Sequence, residues 1–326
     1  MMKLKRNKLF VLSSFLFFLF TFSISCKQND LLTNKEESEK ISLLNNDLKE
    51  LNNQFVKRRV VKKAFGPGDA LPPDNSPKPV TGMSFKTLCA VFSSDVAGAW
   101  AGTWAGGKLG GLIGTVTVPV FGTVTGASAG AVAGGIIVGA AASYGASSSV
   151  SDTTMTLLPM LNSPLDLPLS EQNAYDGHNR VLASLILSSN SNAPLPINNV
   201  PLTSNGINTS IFNNINTTNN ESIVILNCQD LISSTLTTFS NGQPSIDVSK
   251  SYVSNVIEDN FVTTVSNNFF DGLRLLVDKN EIIQYINSYE QYVNNTATLN
   301  QVQKQSIVTA LDASKGSLAF WSPAVQ

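Results

Sequence analysis

The sequence predicts a mainly α protein: a helical hairpin followed by a C-terminal α-helical bundle. Three observations predict it. Glycines stand at 98, 102, 106, 110 and 114 and again at 122, 126, 130 and 134, and residues four apart share one helix face. Apolar residues of the last 150 or so positions recur at helical spacing. No comparable run of alternating strand residues appears. With 326 residues, 42% apolar and 14% charged, the chain is long enough for one or two domains with cores of their own.

The first element is a targeting segment. The basic "MMKLKRNK" precedes the apolar "LFVLSSFLFFLFTFSI", and small residues in "SISC" lead to Cys26, the pattern of a secretory signal peptide over residues 1–25. A cysteine directly after a small-residue cleavage site resembles the lipobox of bacterial lipoproteins. That resemblance implies lipidation of Cys26 and a place in the cell envelope, at the outer membrane or cell surface. Ser23 stands where that family most often has leucine. The following "KQND" partly resembles the surface-export signal of Bacteroidota lipoproteins, through Lys27 and Asp30.

Residues 26–80 are predicted to be a lipid-anchored tether. Ile41, Leu44, Leu48, Leu51 and Phe55 are spaced 3, 4, 3, 4, an a/d seam over two heptads. That length suits a short amphipathic helix better than a coiled coil. The basic "KRRVVKK" closes it, and "GPGDALPPDNSPKP", with five prolines and two glycines, cannot hold regular structure and marks a linker. Charge changes sign along the chain: residues 1–151 hold 16 basic and 9 acidic side chains, and 152–326 hold 6 and 14.

Residues 81–150 carry the hairpin, with one arm from about Ser93 to Val116 and the other from about Val120 to Ser147. The two arms are separated by "TVTVPVFG", where Pro119 breaks the helix. Gly98, Gly102, Gly106, Gly110 and Gly114 line one arm, and Gly122, Gly126, Gly130 and Gly134 line the other. Each glycine inside a helix costs about 1 kcal/mol against alanine, which close backbone packing offsets. The stretch resembles the glycine-zipper regions of bacterial envelope lipoproteins and of membrane-inserting bacteriocins and toxins. The resemblance implies helix association in or on membranes, with membrane lipid and further copies of the chain as partners. From Leu109 to Ser151 no residue is charged over 43 positions, and either arm is long enough to cross ~30 Å of hydrocarbon. Composition points the other way, because Gly, Ala, Ser and Thr dominate and Lys108 sits within the first arm.

Residues 151–326 are predicted to be an α-helical domain interrupted by an exposed loop at 190–220, which holds eleven asparagines. A helix from Glu171 to Ser188 carries Val181, Leu182, Leu185 and Ile186 on one face, and a second covers about Glu221 to Phe239. Asp247 is the expected N-cap of a third, lined by Tyr252, Val253, Val256, Ile257, Phe261 and Val265. Ile282, Ile283, Ile286, Tyr289 and Val293 line a fourth. Thr298 and Gln301 form the expected capping box of a fifth, which carries Ile307, Val308, Leu311 and Leu318 and ends before Pro323.

Little in this sequence points to a reaction. The single histidine, His178, stands near Asp176 and Arg180 without a nucleophile, and no metal-ligand spacing is present. Gly106, Gly107, Gly110 and Gly111 beside Lys108 are not followed by GK[ST] after a strand, and no Rossmann fingerprint opens a βαβ unit. No EF-hand pattern and no basic, aromatic-interleaved face for nucleic acid appears. Cys89 and Cys228 can form a disulfide or remain buried thiols. The expectation is therefore a non-enzymatic protein with no cofactor and no identified small-molecule substrate. It is read as a lipid-anchored envelope protein whose hairpin associates in or on the membrane. The alternative is a secreted, membrane-inserting protein of bacteriocin or toxin type.

Overall fold

The computed structural model describes residues 35–58, 84–113, 115–118, 122–150, 174–189 and 226–321. The signal segment, Cys26, the Gly66–Pro79 linker, Gly114, Pro119, the asparagine-rich stretch and Pro323 lie outside the described residues. The fold is mainly α. The chain divides into two compact units, Met1–Asp47 and Leu48–Gln326. The described part of the first, 35–47, is helical and belongs to α1, which runs over 35–58.

In the larger unit α2 covers Phe85–Ile113 and α3 covers Gly126–Ser149. Ser84 starts α2, its Oγ accepting from the Thr87 amide at 3.1 Å. Between the arms lie two short strands, β1 (Thr115–Val118) and β2 (Gly122–Thr125), paired antiparallel with Thr115 opposite Thr125 and Val118 opposite Gly122. Alternating threonine and valine favour a pleated ribbon over a helix, because branching at Cβ restricts χ1. The first arm therefore ends three residues earlier than the sequence suggested, and the second begins about six later.

The remaining elements are α4 (Ala174–Ser189), α5 (Gln229–Asn241), α6 (Ile246–Val256), α7 (Asn260–Leu273), α8 (Lys279–Asn295) and α9 (Gln301–Trp321). Two expected caps are displaced. Ser245, not Asp247, caps α6, accepting from the Val248 amide at 3.3 Å, while Asp247 pairs with Arg274. The box on α9 is Asn300 with Gln303, each side chain accepting from the other's amide at 2.9 Å. The apolar run expected as one helix from Asp247 onward breaks at 257–259. There Asp259 caps α7 by accepting from the amides of Phe261 and Val262 at 2.9 and 3.0 Å.

The hairpin and the C-terminal helices are parts of the same unit. α3 packs on α4, α5 and α9, and α2 on α6 and α9. Cross-links between these elements are polar as well as apolar: Ser249 donates to Ser93 at 3.1 Å, and the Trp321 indole donates to Ser143 at 2.7 Å. An aromatic cluster joins the 48–58 part of α1 to α7 and α8, with Trp100 of α2 packed on Phe269. Tyr285 and Tyr289 donate to Oδ1 of the buried Asn52 at 2.9 and 3.0 Å, Asn52 donates to the Asn268 carbonyl at 2.9 Å, and Phe269 packs on both tyrosine rings at 5.1 Å. The C-terminal part of α1 is thus built into the larger unit.

Candidate functional site

The feature that sets this domain apart is the contact between α2 and α3. A Cβ placed on Gly102 would strike the carbonyl of Gly134, and one on Gly106 the carbonyl of Gly130. On Gly130 it would come within 2.9 Å of the Gly110 Cα, on Gly134 within 3.1 Å of the Gly106 Cα, and on Gly98 within 2.5 Å of the Val138 carbonyl oxygen. The two ridges therefore face each other and are filled by each other's backbone. Gly126 opens α3, and Gly122 lies in β2 rather than on a helix face. Its assignment to the helix-packing set is corrected, because the β-branched residues around it hold the chain extended.

The outer faces of both arms are covered too. Apart from Val132, the side chains of α3 from Ser128 to Ser147 are buried. The one described helix long and apolar enough to cross a membrane, Ser128–Ser149, has 94% of its apolar window buried inside the protein. Lys108 lies at the periphery, its Nζ 2.8 Å from Glu258 Oε2 and 5.0 Å from the centre of the Trp104 ring.

A fully buried ionisable pair joins the hairpin to α4. Asp95 of α2 and His178 of α4 are both fully buried, with Asp95 Oδ2 2.9 Å from His178 Nε2. His178 Nδ1 lies 3.0 Å from Oδ1 of Asn179. Asp176 is half-buried and Arg180 exposed on the same helix, whereas His178 is fully buried. Sequence reasoning missed Asp95 as the partner, although a lone acid in an arm of glycine and alanine is itself a signal that something across the helix answers it.

Cys89 and Cys228 are both free and buried, so the possible disulfide is not formed. Burial pushes the Cys89 thiol up to about 12 and the Cys228 thiol up to about 11, which leaves neither reactive at neutral pH. Among the described residues no group of three or more His, Cys, Asp or Glu is placed to hold a metal ion. Compared with protein-family models, with curated proteins and with solved structures, the chain matches none, so the geometry of its own residues carries the functional reading.

Proposed function

We propose that this chain is a lipid-anchored cell-envelope protein that works by binding or as a structural element rather than by catalysis. The observation that carries the reading is the apolar segment ending in "SISC" at Cys26. In this reading Cys26 holds the lipid, the segment after it spaces the domain from the outer membrane or cell surface, and the helical domain faces solvent. The burial of α3 supports assigning membrane attachment to the lipid. Both glycine ridges are occupied by their own partner arm, so a second copy would have to associate through another surface.

Fractionation of wild type and Cys26→Ala tests the reading. Wild type stays with membranes through a carbonate wash and the Ala variant is removed completely. Retention of the Ala variant would assign attachment to the hairpin instead. The second reading, a membrane-inserting protein of bacteriocin or toxin type, draws on the uncharged run from Leu109 to Ser151. It predicts dye leakage from liposomes on adding the purified protein, where the anchored reading predicts none.

A further inference from the structure

Asp95 is the only acidic side chain in either arm of the hairpin, and it is fully buried. Neither of its oxygens receives an aligned hydrogen bond. On α3 it faces Gly139, where an added Cβ would lie 3.2 Å from Oδ1, and on α4 it meets His178 Nε2 at 2.9 Å. A carboxylate taken out of water with no donors is costly unless a cation stands beside it. With a neutral imidazole the pair would bring a net charge of about −1 into a core of glycine and alanine. With one more proton the pair is neutral.

We propose that His178 is held as an imidazolium against the Asp95 carboxylate, so that one proton fastens α4 to the hairpin and makes the fastening sensitive to pH. Imidazole is the stronger base of the two in water, so it keeps the proton. Other charged groups stand on the surrounding elements. On α4, Asp176 is half-buried and Arg180 exposed. On α9, Lys315 pairs with Asp312 and with Glu290 of α8. On α6, Asp247 pairs with Arg274, just after α7, and Lys250 with Asp271 of α7, and Asp230 of α5 is exposed. Nearer the pair, α3 presents Gly139, α9 presents Gly316 against Asn179, and Ser249 of α6 donates to Ser93.

The sign follows from proton counts. In the unfolded chain a histidine releases its proton at about pH 6.5, so above that value the native state binds one proton more than the unfolded state. Stability conferred by the pair is therefore complete below about 6.5 and falls as pH rises, by roughly tenfold in the folded-to-unfolded ratio per pH unit. This inference is independent of the lipid anchor and of any membrane role.

Because the chain has one histidine, selective nitrogen-15 labelling of histidine in the full chain in detergent reports this ring alone. At pH 8 both ring nitrogens should carry protons, and in Asp95→Asn one of them should be bare. One bare nitrogen in the wild type at pH 8 overturns the proposal, and that spectrum decides even if the variant does not fold. Denaturant unfolding between pH 7 and 8.5 supplies the second readout. The wild type should lose stability relative to His178→Gln across that range, and parallel curves would contradict the assignment.

Discussion

Two regions of the domain pack helices by opposite means. Where α2 meets α3, backbone lies against backbone, with Gly102 and Gly106 opposite Gly134 and Gly130. Where α1, α7 and α8 meet, large rings interlock: Phe269, Tyr285 and Tyr289 surround Asn52. The glycine contact gives up side-chain burial and about 1 kcal/mol of helix propensity at each position, and gains close approach from Gly98 to Gly110 of α2 and from Gly130 to Val138 of α3. The aromatic contact gains its stability from buried ring area and from a polar centre whose hydroxyls find acceptors. Removing atoms from the second leaves a cavity or an unmet hydroxyl, and adding one at Gly98, Gly102, Gly106, Gly130 or Gly134 of the first meets backbone.

The largest expected effect is on the glycine side. Gly106→Leu places a branched side chain where the Gly130 carbonyl and the Gly134 Cα lie, and the α2–α3 pair cannot form; circular dichroism melts should show no cooperative transition. On the aromatic side Phe269→Ala removes a fully buried ring and should cost about 3 to 5 kcal/mol in denaturant unfolding. Asn52→Ala is smaller. It deprives the Tyr289 hydroxyl of its acceptor, while Tyr285 keeps the Phe269 carbonyl at 2.9 Å, and should cost about 1 to 3 kcal/mol. The smallest effect is at the rim, where Lys108 holds the Glu258 carboxyl below its usual range through a hydrogen bond and its charge. Any stability from that pair is present above the ordinary carboxylate value and lost as pH falls through the lowered one. Lys108→Ala should return Glu258 to the ordinary range in an NMR titration without a measurable change in unfolding near neutral pH, because exposed pairs are screened.

The two regions also differ in how far the sequence discloses them. The four-residue register of the glycines is a local pattern, so the helical face it forms could be read directly. What that face touches depends on residues some thirty positions away, and the membrane, a second copy and the partner arm all satisfy the same pattern. Caps near the correct positions were misplaced by two residues because Ser245 and Asp247, like Thr298 and Asn300, are both competent acceptors, and the choice between them is made by how the preceding loop enters the helix. The break at 257–259 hides inside an apolar period that continues across it, since Ile257 is buried although it lies outside the helices. The strands at 115–118 and 122–125 are legible as β-branched residues, but the break at Pro119 alone leaves their ends inside the two helical arms. Asp95 and His178 are separated by the full length of the hairpin and the segment after it, and nothing local in either stretch names the other.

The central claim, that the glycine face is filled by the protein's own second arm, is tested most directly by equilibrium unfolding of Gly102→Ala beside Gly145→Ala. Both replace glycine by the better helix former. At Gly102 the new methyl meets the Gly134 carbonyl, whereas at Gly145 the nearest atoms, on α5, lie at 3.4 to 3.6 Å, an ordinary contact. Gly102→Ala should lose about 1 to 3 kcal/mol and Gly145→Ala should gain about 0.5 to 1 kcal/mol. Equal gains at both positions would contradict the claim, because they would mean that the face carrying Gly102 is open.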